Sequence, residues 1–151
     1  MAAEPLGFGR GLKVAEEARQ MGRPTLLIST GESADAFTLS RQAVDAGLSV
    51  ITDTSAKVVE LAVRYRPVII VLDVQQMGGD GLEFLAQLRR NPATRSARVF
   101  ATAATNDEFA KTMSLELGAL GFSVKPFHAG FIRSIATMAR ESSEALGATA
   151  S

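Results

Sequence analysis

Asp73 closes an unbroken aliphatic run, Val68-Ile69-Ile70-Val71-Leu72, which directly follows Pro67. Such a run suits a strand buried on both faces of a parallel sheet. Beyond it come Gly78, Gly79 and Gly81, and then a helical pattern from Leu82 to Leu88. The carboxylate therefore sits at the C-terminal edge of a central strand, where open α/β sheets bind ligands. It reads as a catalytic or ligand-binding group. The plainer alternative is a residue that starts a loop, since Asp is common there. A second charged set, Arg89, Arg90, Arg95 and Arg98, surrounds the connection after the following helix. Arginine forks suit anions, so this set is either a site for a nucleotide messenger or acidic partner, or a solvated face. No GxxxxGK[ST] loop is present, and Gly7-Phe8-Gly9-Arg10-Gly11 precedes no convincing strand. His128 reads as a surface or helix-start residue, and no nucleophile–His–acid series can be assembled.

The elements that must position Asp73 alternate along the chain. Strands are expected at Thr25–Ser29, Leu48–Thr52, Val68–Leu72, Ala97–Ala103 and Leu120–Val124. Helices are expected over 34–46 with Phe37, Val44 and the alanines inward, 56–65 capped by Ser55, and 81–90 capped by Asp80. A fourth opens on the capping box Thr105 to Glu108 and runs to Leu117, with Phe109, Met113 and Leu117 on one face. The last covers about 129–145, with Phe131 or Ile132, Ile135 and Met138 or Ala139 inward. The alternation implies a doubly wound α/β fold, five parallel strands with helices on both faces. Residues 1–24 read as a tail with a short helix over Gly11–Met21 that docks, pairs with a second chain or stays loose. Residues 25–145 form the domain, and 146–151 read as a frayed tail.

The sequence has 151 residues, the size of one domain, with 16 basic and 16 acidic residues. Net charge zero gives no global pull towards nucleic acid or membranes. There is no cysteine and one histidine, which excludes disulfides, Cys-ligated metals and multi-His zinc sites within the chain. No apolar run approaches a membrane span and no signal-peptide core is present, so the expected location is the cytoplasm.

With these pieces in order, residues 25–140 resemble the CheY-like receiver domain of two-component response regulators. Leu72-Asp73 with Gly78-Gly79-Asp80-Gly81 looks like the family's phosphoacceptor loop. Leu117-Gly118-Ala119, Gly121-Phe122 and Lys125-Pro126-Phe127 look like the approach to, and exit from, its fifth strand. The resemblance implies the 2-1-3-4-5 strand order. It makes Asp73 the phosphoacceptor, Lys125 the phosphate-contacting lysine and the Gln75 carbonyl a metal ligand. Ala103 and Phe122 fall at the switch positions, and Lys125-Pro126 is expected to be cis. The family's phosphoryl chemistry uses Mg²⁺ held by carboxylates, with phosphate arriving from a histidine kinase or phosphotransfer protein.

Three positions depart from the family pattern. Thr30 and Gly31 stand where an acidic pair belongs, with Glu32 a residue too late. Ala103 stands where a hydroxyl belongs, and Thr102 points to the opposite face. Met77 replaces a usual proline. One clear carboxylate holds Mg²⁺ weakly, and phosphoryl transfer depends on electrostatic stabilisation. The leading expectation is a single-domain, non-enzymatic pseudo-receiver acting through protein contacts, with a Lys125–Asp73 ion pair kept for structure. No DNA-binding domain is expected, and a homodimer is one route of output. Two alternatives stay open: a working phosphoreceiver using Mg²⁺, and a binder of an anionic messenger through the arginines.

Overall fold

In the computed structural model, residues 22–150 are described, with side chains to residue 142. The expected helix over Gly11–Met21 lies outside them. The aliphatic runs form β1 (Thr25–Ser29), β2 (Ser49–Asp53), β3 (Ile69–Asp73), β4 (Arg98–Ala103) and β5 (Gly121–Val124). All pair in parallel, in the order β2-β1-β3-β4-β5. β1 and β3 are buried along their whole length, as their unbroken aliphatic sequences require. Between the strands run α1 (Ser33–Asp45), α2 (Val58–Tyr65), α3 (Gly81–Arg90) and α4 (Glu108–Glu116). α5 (Phe131–Ala150) follows β5 and runs past the expected end at residue 145.

Strand alternation divides the core into two layers. Leu27, Ile70, Leu72 and Val99 face α2 and α3, meeting Leu61, Tyr65, Leu85 and Leu88. Leu26, Ile28, Ile69 and Val71 face α1 and α5, meeting Leu39, Ala43, Ile135 and Ala139.

The helix faces correct several expectations. α1 buries Ala36, Leu39 and Ala43, whereas Phe37 and Val44 point to solvent. Two stripes compete on this helix, and the one with small residues lets the backbone sit close to the sheet. α4 likewise buries Ala110 and Ser114 while Phe109 faces outward. Its cap is Asp107, whose carboxylate accepts from the Phe109 and Ala110 N–H groups, so the Thr105–Glu108 box does not form. Ser55 does not cap α2 either. The chain is held there by Asp53, which accepts from the Ser55 and Lys57 N–H groups. Asp80 is in place before α3, but its side chain makes no capping bond. α5 begins at Phe131, two residues after the expected start at Ala129.

Candidate functional site

Three strands end at one edge and bring Thr30, Asp73 and Lys125 together. Asp73 continues the parity of Ile69 and Val71, and Thr30 that of Leu26 and Ile28, so both aim to the α1/α5 side. Asp73 is 7% exposed. Its Oδ1 accepts from the Gln75 N–H at 2.9 Å, and its Oδ2 from the Thr30 hydroxyl at 3.3 Å. The Thr30 oxygen in turn accepts from the Glu32 N–H at 3.2 Å. Glu32 itself is exposed, at the N-cap of α1, with no side-chain capping bond. Gly31 adds no side chain.

Lys125 does not pair with Asp73. Its Nζ forms an ion pair with the Asp35 carboxylate in the first turn of α1. The reason lies in the order of the elements. The β1–α1 turn places Asp35 at the same edge as the β5 end, and Asp73 already has two donors. The Lys125-Pro126 bond is cis, as the resemblance implies.

The turn after β3 carries most of the fine geometry. Met77, Gly78 and Gly79 all have positive φ, 53°, 69° and 108°. Proline is locked near −65°, so the departure at residue 77 follows from the turn's conformation. At Gly81 there is no room for a side chain: a Cβ would sit 2.7 Å from the Val74 carbonyl carbon and closer to the Asp73 oxygen. The first residue of α3 is thereby pressed against the backbone that carries the carboxylate.

Two glutamines lock this turn, and neither side chain was singled out in the sequence. The Gln75 Oε1 accepts from the Ala104 and Thr105 N–H groups at 2.8 and 3.2 Å, and its Nε2 donates to the Thr105 hydroxyl. This ties β3 to the loop after β4. The Gln76 Nε2 donates to the Asp73 carbonyl at 3.0 Å and to Ser29 Oγ at 3.1 Å. Ser29 then donates to Asp53 at 3.0 Å. A buried polar chain thus runs Asp53–Ser29–Gln76–Asp73. Its only sequence signal is that Ser29 and Asp53 end the first two strands and Gln76 follows the third.

The switch positions lie beside this network. Ala103 is fully buried at the end of β4, and its carbonyl accepts from the Lys125 N–H at 3.0 Å. Its methyl group offers no donor. The register corrects the expectation for β4: Thr102 pairs with Asp73 and follows Phe100 to the same α1/α5 side, whereas Ala103 follows Val99 and Ala101 to the other, so the hydroxyl and not the methyl group shares the face of Asp73. Phe122 is half-buried and packs against the layer under α2 and α3. His128 takes part in the turn into α5, where its Nδ1 accepts from the Gly130 N–H.

Mg²⁺, which the family uses, does not fit these residues. Thr30 and Gly31 carry no charge, so the strand ends offer Asp73 without the acidic pair beside it. Among the described residues, no three His, Cys, Asp or Glu side chains converge as a metal group would need.

The four expected arginines do not form one patch. The Arg89 guanidinium donates to the Arg95 and Ala97 carbonyls and lies over Gly118. Arg90 pairs with Glu83 at 3.2 Å on the exposed face of α3. Arg95 and Arg98 are exposed, and Arg98 lines a cleft that Arg66 also lines.

The profile of the response regulator receiver domain matches residues 35–137. The chain belongs to the receiver domain family. The match begins after β1, beyond the uncharged Thr30 and Gly31. Solved receiver structures share the fold. The chemotaxis response regulator CheY4 of Vibrio cholerae is 20% identical with a TM-score of 0.69, over 78% of this chain and 98% of that one. A response regulator from Chloroflexus aurantiacus is 24% identical with a TM-score of 0.69, over 81% and 98%. A CheY-like receiver protein from Methanospirillum hungatei is 14% identical with a TM-score of 0.71, over 81% and 98%. Among curated proteins, the cyclic di-GMP phosphodiesterase response regulator RpfG of Xanthomonas campestris is 38% identical over 58 residues. That stretch spans 38% of this receiver and only 15% of the relative's length.

Proposed function

We propose that this receiver is a signalling protein-interaction module in which Asp73 has lost normal phosphorylation. The observation that carries this reading is the pairing of Lys125 with Asp35. The lysine that would meet an incoming phosphoryl group is engaged by a carboxylate of the chain itself. Asp73 is meanwhile tied down by Thr30 and Gln75. Two anions, carboxylate and phosphoryl donor, must approach with little positive charge between them, and phosphoryl transfer relies on that charge.

The output surface in this reading is the edge around Asp73. Phe37, Met77 and Phe109 are each about two-thirds exposed. They stand on the second turn of α1, on the turn after β3 and on the first turn of α4. Large exposed apolar residues on the elements around the Asp73 edge offer contact area for a protein partner. The partner class is a signalling protein such as a histidine kinase or phosphotransfer protein, or a second copy of the receiver. The location is the cytoplasm, and the module is not an enzyme. No described helix is long and apolar enough to cross a membrane.

The test is incubation with a small-molecule phosphodonor and Mg²⁺, read by intact mass. The reading expects no phosphate-sized increase on the timescale of ordinary receivers. A rapid increase that vanishes in Asp73→Ala would establish the alternative, a working phosphoreceiver.

A further inference from the structure

A cleft of about 390 Å³ opens at the opposite end of the sheet from Asp73. Its size falls within the range of about 300–1,000 Å³ usual for small-molecule sites. Arg66 and Val68 wall it on the α2–β3 side, Ser96 and Arg98 on the β4 side, and Ser142 of α5 completes it. At about 3.3 Å per residue, the rise from Ile69 to Asp73 puts it on the order of 13 Å from the phosphoacceptor position.

Three features set this cleft apart from an ordinary solvated face. Arg66 and Arg98 line it together, and among the described residues neither guanidinium has a hydrogen-bond or ion-pair partner. Arg89 and Arg90, in contrast, are both engaged. Arg66 occupies the left-handed C-cap of α2, with φ 48° and ψ 58°, where glycine is the residue the backbone favours. The side chain is therefore not there for the turn. The Ser142 hydroxyl oxygen is enclosed and has no partner, a condition rare in folded proteins. Two unpaired cations facing a shared space repel each other, and α2 ends close enough for its C-terminal carbonyls to offset only part of that. A dianion between the two forks relieves the repulsion and uses their planar donor geometry.

We infer that this cleft binds a small phosphomonoester, its phosphate held between Arg66 and Arg98, with the exposed Ser96 hydroxyl as a further donor. The site is independent of the reading given to Asp73.

Calorimetry on the full chain tests it, with adenosine 5′-monophosphate, inorganic phosphate and adenosine as probes at matched ionic strength. The monophosphate gives saturable heat and adenosine gives none. If phosphate alone binds equally well, the site holds the oxyanion and ignores the body; if it binds more weakly, the cleft also grips the nucleoside. Both results support the site. Affinity falls about ten-fold or more in Arg66→Gly and in Arg98→Gln, the loss expected for a charge-assisted pair. Arg66→Gly suits the backbone, so the fold persists. Arg95→Gln and Asp73→Ala leave binding unchanged. The proposal is overturned by no saturable heat with either phosphate probe, by equal affinity in all variants, or by loss of binding in Asp73→Ala.

Discussion

Replacing Asp53 with alanine removes a carboxylate that is 2% exposed and anchors the far end of the polar chain reaching Asp73. Three donors lose their acceptor: the Ser29 hydroxyl and the Ser55 and Lys57 N–H groups. Hydrogen bonds to a charged group contribute about 1.5–3 kcal/mol each. The full sum does not apply here. The two loop N–H groups are only partly buried and regain water, and Ser29 Oγ keeps its donor from Gln76. A net loss of about 2–4 kcal/mol remains. With a mid-range urea m-value of about 2 kcal/mol/M, the unfolding midpoint drops by about 1–2 M. Urea unfolding followed by circular dichroism measures this directly. Asp53→Asn keeps one acceptor oxygen and loses less. A midpoint drop below about 0.3 M for Asp53→Ala would refute the reasoning that this carboxylate organises the edge.

Two further substitutions separate strain from charge. Gly81→Ala drives a methyl group into the Asp73 and Val74 backbone, which cannot rotate away; overpacking of this kind costs about 1–3 kcal/mol. Thermal unfolding should show a clearly lowered Tm, and an unchanged one would mean that α3 does not press on the site. Asp35→Asn breaks the Lys125 pair, whose side chains are 35% and 25% exposed. Partly exposed pairs contribute about 0–1 kcal/mol, so its urea midpoint should stay near that of the parent. A large drop would show that the pair is a main support of the fold and not a local arrangement of charge.

Much of this fold is legible in the chain because its strands are written without ambiguity. Leu26-Leu27-Ile28 and Ile69-Ile70-Val71-Leu72 are apolar on both faces, and the elements between them leave no room for another architecture. Helix faces were harder to read. On α1, Ala36 and Ala43 are inward as expected, with Leu39 between them, but Phe37 and Val44, favoured by size alone, lie on the outer face. Capping was ambiguous where several suitable residues lie close together: Asp107 displaced Thr105, and Asp53 did the work expected of Ser55. Thr30 and Gly31 stood out as local substitutions in a recognisable frame, whereas the β4 position was misjudged by one residue, since only the register with β3 puts Thr102 on the face of Asp73. The Lys125–Asp35 pair was not, since ninety residues separate its members and only the β5–α1 juxtaposition joins them. The arginine cluster failed for the same reason. Arg89 and Arg90 are engaged by neighbouring groups, while Arg98 lines a cleft with Arg66, a residue thirty-two positions away in the chain.

The central claim is that this edge disables normal phosphoryl transfer to Asp73 through missing positive charge, the uncharged residues at 30 and 31 adding to the capture of Lys125 by Asp35. The most direct measurement compares the parent chain with Thr30→Asp/Gly31→Asp, both incubated with a small phosphodonor and Mg²⁺ and followed by intact mass. Position 31 accepts a side chain, since an added Cβ would meet only the Gln76 Cβ, at 4.0 Å. The account predicts a phosphate-sized increase in the double variant, abolished by Asp73→Ala, while the parent gains none over the same time. A parent chain phosphorylated on Asp73 as fast as the double variant would contradict it.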